Sequence, residues 1–136
     1  MTETTIYRIL IVDDDEDARI LLMRALGKST LALEVATAAD GLQALEVVAR
    51  TQLHAVITDI MMPRMNGFDL CVALRTAPAT ARIPVIMVTA LEDERDRQRG
   101  LAAGADDYLT KPFAWGVFCE RLAELLAAAY DPHRRR

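Results

Sequence analysis

Four places in this sequence set a charged or hydroxyl side chain directly behind a short apolar run. Residues 6–12 end in Asp13, Asp14 and Asp15, with Glu16 and Asp17 behind them. Residues 55–58 end in Asp59. Residues 83–88 end in Thr89, and 107–110 run into Lys111 and Pro112. Two carboxylates about 4 Å apart repel by roughly 4 kcal/mol at an effective dielectric of about 20. A gathered acid cluster therefore calls for a hard cation. Mg²⁺ takes oxygen ligands in octahedral geometry and keeps several waters, so one or two carboxylates, a carbonyl and a phosphate oxygen suit it. The Lys111 ammonium adds a second positive charge for a phosphoryl oxygen. These are the groups that stabilise charge in phosphoryl transfer.

Each residue also has an ordinary structural reading. Asp13 to Asp17 could be a helix N-cap with an acidic first turn, which complements the helix dipole. That reading suits Asp15 and Asp17. It does not suit Asp13 and Asp14, because Asp59 and Lys111 stand at matching strand ends. Thr89 could be a cap, Tyr108 a core aromatic, and Met61 and Met62 packing residues.

The positioning elements follow from periodicity. Apolar runs at 6–12, 31–36, 55–58 and 83–88 read as strands, and 107–110 as a short fifth. Between them, Ala18, Leu21, Leu22, Ala25 and Leu26 recur at helical spacing, as do Leu42, Leu45 and Val48, and Phe68, Cys71 and Leu74. Residues 92–103 read as a poorly amphipathic helix stopped by Gly104. Phe118, Leu122, Leu125, Leu126 and Ala129 mark a last helix, whose start is blurred by Gly116. Strand alternating with helix predicts an α/β fold, a doubly wound parallel sheet of five strands. Ligand sites of such sheets lie beyond the carboxyl ends of the strands.

Composition narrows the function. The chain has 136 residues and 52% hydrophobic content, which suits one domain, residues 1–136, with a core over 7–129 and a short basic tail over 130–136. No apolar run approaches the ~20 residues of a membrane span, and no secretion signal opens the sequence. The net charge of −4 argues against nucleic acid as a partner, and the run Arg134-Arg135-Arg136 reads as a solvated tail. Cys71 and Cys119 read as free thiols in a reducing compartment, which places the protein in the cytoplasm.

Ile9-Leu10-Ile11-Val12-Asp13-Asp14-Asp15, Thr58-Asp59-Ile60-Met61-Met62-Pro63 with Asn66-Gly67, Val88-Thr89-Ala90, and the run Gly104 to Phe113 resemble the motifs of bacterial two-component response-regulator receiver domains. The resemblance runs from about Tyr7 to Ala129. It implies the flavodoxin-like strand order 2-1-3-4-5, in which ligands also bind where the order reverses. It implies that Asp59 is the phosphoacceptor and that Asp13, Asp14, Asp59 and the main-chain carbonyl of Met61 hold Mg²⁺, with Mn²⁺ as a substitute. Lys111 and Thr89 would contact the phosphoryl group, Thr89 and Tyr108 would switch together, and Pro112 would follow a cis peptide bond. The implied module is not an enzyme with a separate substrate, although it assists its own phosphorylation and dephosphorylation. Its donor would be a histidine kinase or phosphotransfer protein. Its downstream target would meet the face made by the fourth helix, fifth strand and fifth helix. Met61 and Leu91 fall where relatives direct the hydrolytic water, and neither can hydrogen-bond it.

Two other readings compete. A flavodoxin-like binder would cradle an anionic phosphate in the first loop, where Asp13-Asp14-Asp15 would repel it. A haloacid-dehalogenase-type hydrolase would want a second aspartate where Met61 stands. The receiver could also be part of a larger regulator with a diguanylate cyclase or hybrid histidine kinase output. The ending Asp131-Pro132 favours a single-domain regulator, because proline stops the last helix.

Overall fold

The computed structural model describes residues 5–131. The basic run Arg134 to Arg136 lies outside the described residues. The elements are β1 Ile6–Val12, α1 Glu16–Gly27, β2 Ala32–Ala38, α2 Gly41–Arg50, β3 Ala55–Thr58, α3 Gly67–Thr76, β4 Val85–Thr89, α4 Glu94–Ala103, β5 Asp107–Thr110 and α5 Trp115–Tyr130. All pairings are parallel and the strand order is β2-β1-β3-β4-β5. Among the described residues no helix is long and apolar enough to cross a membrane. Cys71 and Cys119 are unpaired thiols.

Two cores form because strand side chains alternate between faces. Ile9, Ile11, Ile57, Ile86 and Val88 meet Leu22 and Leu26 of α1 and Phe118, Leu122 and Leu126 of α5 on one face. Leu10, Val12, Val56, Val85 and Met87 meet Ala44 of α2 and Phe68, Cys71 and Leu74 of α3 on the other. The central strands are buried on both sides, which is why they read as continuous apolar runs.

The structure adjusts several boundaries. β2 covers Ala32–Ala38 rather than 31–36, because Thr37 and Ala38 pair with β1 as far as Val12. These small residues carry no strong strand signal, and pairing decides their state. α4 starts at Glu94, two residues later than periodicity suggests, because Asp93 caps it by accepting from the Arg95 amide at 2.8 Å. Asp15, Asp40 and Asn66 cap α1, α2 and α3 in the same way. α5 starts at Trp115 without a side-chain cap. Leu21 and Leu42, expected on buried stripes, are exposed, and Ala44 takes the inner position on α2.

One polar clamp spans the second face. Arg75 on α3 donates to the carbonyls of Gly104 at 3.0 Å and Ile83 at 2.6 Å, and to the Asp106 carboxylate at 3.0 Å. The same Asp106 oxygen accepts from the Val85 amide at 2.8 Å. Gly104, at φ 112, closes α4 directly over the Arg75 stem. The clamp thus joins α3, the start of β4 and the turn into β5. Replacing Arg75 with Met should lower stability by about 2 kcal/mol, since charge-assisted bonds of this kind are partly screened here. Urea unfolding would show it as a lower midpoint at constant slope. An unchanged midpoint would mean that the clamp is ornamental.

Candidate functional site

The site is assembled by backbone bonds that continue the sheet past its strands. The Asp13 amide donates to Ala38 O at 3.1 Å, the Asp59 amide to Val12 O at 2.9 Å, and the Lys111 amide to Thr89 O at 2.7 Å. These bonds hold the residues after β1, β3 and β5 in register. The chain then leaves Asp59 through a tight loop. Gly67, the first residue of α3, donates to Ile60 O at 2.9 Å. A Cβ there would lie 2.2 Å from the Asp59 carbonyl oxygen, so only glycine lets the loop close beneath the acid.

Side chains from the three strand ends meet. Lys111 Nζ lies 3.2 Å from Asp13 Oδ2 and 3.4 Å from Asp59 Oδ2. Asp13 Oδ1 accepts from the Asp15 amide at 2.9 Å, and Asp59 Oδ1 accepts from the Ile60 amide at 2.6 Å. Burial pushes the Asp13 carboxyl above the usual carboxylate range, against the Asp15 amide and Lys111, which favour its charged form. Burial alone would lower Lys111. The Asp59 and Asp13 carboxylates outweigh it and hold the ammonium above its ordinary value. Lys111 is therefore charged at any physiological pH.

The other residues expected from the sequence sit around this triad. Asp14 is beside Asp13 and exposed. Met61 is 65% exposed on the loop after Asp59. Thr89 is buried at the end of β4, and its Oγ1 accepts from the Leu91 amide at 3.3 Å. Leu91 packs its side chain against the second core rather than standing at the rim. Tyr108 lies inward, 2% exposed, with its hydroxyl donating to Leu91 O at 2.9 Å. The Lys111–Pro112 peptide bond is cis. Among the described residues, no hydrogen bond or ion pair joins the side chains of Asp14 or Thr89 to the triad.

Residues that the sequence did not single out also build the site. Arg64 adopts a left-handed backbone, φ 66, and its guanidinium grips the buried Asp40 carboxylate, with Nε at 2.9 Å. The Gly41 amide donates to Met65 O at 3.1 Å. Together they pin the loop carrying Met61 to the start of α2. The signal for this was weak, since Asp40 reads as a helix cap and Arg64 as a surface cation. A concavity of about 760 Å³ lies elsewhere, between the α2–β3 and α3–β4 connections and the end of α5. It gathers no acid pair with an ammonium.

Among the described residues, no three acid, imidazole or thiol side chains form a closed metal cage. The donor set instead suits a cation needing few protein ligands. Two carboxylates share one ammonium, an exposed carboxylate stands beside them, and a pinned loop follows Asp59. Mg²⁺ binds in this open manner and completes its shell with water and phosphate oxygen.

The response regulator receiver domain family matches residues 9–123. The response regulator MprA of Mycobacterium leprae is 43% identical over 119 residues, 88% of this chain and 50% of that protein. The chain thus spans about half the length of the curated relatives it matches. A response-regulator structure from Chloroflexus aurantiacus gives a TM-score of 0.85 at 35% identity, covering 90% of this chain and 99% of that one. The receiver domain of a Pseudomonas aeruginosa sensor histidine kinase, with a magnesium ion coordinated in its active site cleft, gives 0.81 at 28% identity, covering 90% and 99%. With the parallel order 2-1-3-4-5 and acids and lysine meeting at the strand ends, these likenesses place the chain in the response regulator receiver domain family of two-component systems.

Proposed function

We propose that the domain accepts one phosphoryl group on Asp59 from the phosphohistidine of a histidine kinase or phosphotransfer protein. The observation that carries this reading is the ammonium of Lys111 shared by Asp13 and Asp59 at 3.2 and 3.4 Å. A carboxylate oxygen of Asp59 attacks phosphorus, the O–P bond forms, and the N–P bond breaks with its electron pair returning to the donor nitrogen. Asp13, Asp14, Asp59 and the Met61 carbonyl would hold Mg²⁺, which when bound neutralises and orients the phosphoryl oxygens. Lys111 swings its contact from the carboxylate to a phosphoryl oxygen. The Thr89 hydroxyl accepts from Leu91 and keeps its own proton to donate. The output face is α4, β5 and α5. Arg97 on α4 donates to Tyr108 O at 3.0 Å, and Arg121 on α5 donates to Asp107 at 2.8 Å, so movement at Tyr108 reaches both helices.

The acceptor role is tested with acetyl phosphate and Mg²⁺. Intact mass should rise by one phosphoryl group, and Asp59→Asn should remove the gain because an amide is no nucleophile. Wild-type labelling of the Asn variant would assign the acceptor elsewhere.

The metal role is tested through Asp13. A carboxyl whose folded pKa is raised adds stability only while protonated, below the unfolded value of about 3.9. That contribution disappears as pH rises through the folded value. At neutral pH the ionised group is a net burden on the metal-free domain. Asp13→Asn should therefore raise the metal-free melting temperature by about 3 °C. Added Mg²⁺ should stabilise the wild type and leave the variant unchanged. Equal Mg²⁺ stabilisation of both proteins would remove Asp13 from the ligand set.

The lifetime of the phosphoryl group is set by water reaching phosphorus opposite the Asp59 oxygen. Met61 stands exposed beside that route, and its thioether cannot orient water. Leu91 is packed inward, so Met61 carries the shielding. Met61→Asn should speed phosphate release from the isolated phosphorylated domain roughly tenfold, about 1.4 kcal/mol off the barrier. An unchanged rate would make Met61 a partner-facing residue.

A further inference from the structure

We propose that Gly100 is the positioning residue that decides where the Tyr108 ring lies. Through that ring it tunes how tightly the α4–β5 surface is coupled to the Asp59 site, a consequence that rests on the phosphoryl reading above.

Gly100 stands inside α4, where glycine is a weaker helix former than alanine. Its backbone does not require glycine, unlike that of Gly104 at φ 112. Space does. A Cβ on Gly100 would lie 2.8 Å from Met87 Sδ, 3.0 Å from Tyr108 Cδ2 and 3.3 Å from Tyr108 Cε2. The inward ring thus rests on bare helix backbone. Of the two neighbours, Met87 is fully buried on β4, an interior strand of the sheet. Tyr108 is on β5, the edge strand, beside α4 and with no further strand outside it. A methyl group at position 100 is therefore relieved most easily by turning the ring outward.

The ring's place matters because two hydrogen bonds link it to the strand end. The Tyr108 hydroxyl donates to Leu91 O, and the Leu91 amide donates to Thr89 Oγ1. Turning the ring outward frees the Leu91 carbonyl and loosens the segment that holds the Thr89 hydroxyl. α4 has few other anchors, since Gly100 is its one buried residue among those described. Any ligand at Asp59 that favours the inward arrangement then binds more weakly in proportion to the fraction of inward protein.

The full chain labelled with 3-fluorotyrosine has three reporters, Tyr7, Tyr108 and Tyr130. Tyr108→Phe assigns the middle one. Gly100→Ala should move the Tyr108 resonance to a solvent-exposed position and leave the other two in place. A Tyr108 resonance that stays buried overturns the proposal. In a Tyr108→Ala background the obstacle is gone, so Gly100→Ala should raise the melting temperature, as alanine does in an open helix. A fall in both backgrounds would mean that the methyl strikes Met87, and the proposal is wrong. The double variant also decides the matter if Gly100→Ala alone does not fold. It folds if the ring is the obstacle and fails if Met87 is. Finally, beryllofluoride with Mg²⁺ should bind Gly100→Ala about tenfold more weakly than wild type. Equal affinity, with the ring shown to be outward, would deny the coupling. Failure of the wild type to bind beryllofluoride would count against the phosphoryl reading, while the fluorine shift still judges Gly100.

Discussion

The ammonium of Lys111 stands between the carboxylates of Asp13 and Asp59, and much of the structure serves to keep those three charges together. Burial resists ionising Asp13, and the two acids repel each other. One lysine moderates both effects, and both acids in turn keep that lysine charged. Such an arrangement is costly to assemble and easily rearranged. It persists because the sheet fixes the spacing. The amides of Asp13, Asp59 and Lys111 each bond to a neighbouring strand, so the charges cannot separate without breaking the register. The buried strand interiors, 0% exposed from Ile9 to Ile11 and from Val85 to Val88, hold that register rigid.

Around the charges lies a second requirement, that backbone approach backbone very closely. The loop after Asp59 folds under the acid because Gly67 lacks a Cβ, and it is tied to α2 by Arg64 on Asp40 and by Gly41 on Met65. Arg64 holds a left-handed conformation that favours glycine. Its ion pair with buried Asp40 offsets that strain. The main chain at Met61 is thus presented by a braced loop rather than a loose one.

The two sides of the sheet are anchored unequally. α1 and α5 close over a continuous aliphatic and aromatic core, with Phe118, Leu122 and Leu126 each at most 1% exposed. α4 sits at the sheet's other end with polar residues along most of its length, held by Arg97, Tyr108 and the Arg75 clamp. A helix with few apolar contacts opens at low free energy. The geometry therefore places the most adjustable element beside the Tyr108–Leu91–Thr89 relay and the firmest elements away from it.

Much of this was legible in the sequence. Runs ending in Asp13, Asp59, Thr89 and Lys111 implied strands and the edge on which those side chains lie, because alternation and burial leave a direct trace in residue order. Boundaries were legible where a local signal existed and illegible where pairing decided, as at Thr37 and Ala38, which join β2 only through β1. Leu21 and Leu42 fit a helical stripe yet face outward, since periodicity marks a face but not its neighbour. Residue types and their order by themselves determined the fold class, the family and the acids and lysine at the strand ends. Only the tertiary structure decided that Lys111 bridges Asp13 and Asp59, that Arg64 braces the loop through Asp40, and that Tyr108 rests on Gly100. Those contacts join residues distant in sequence, and their distances are set by how the sheet and helices pack rather than by any local preference of the chain.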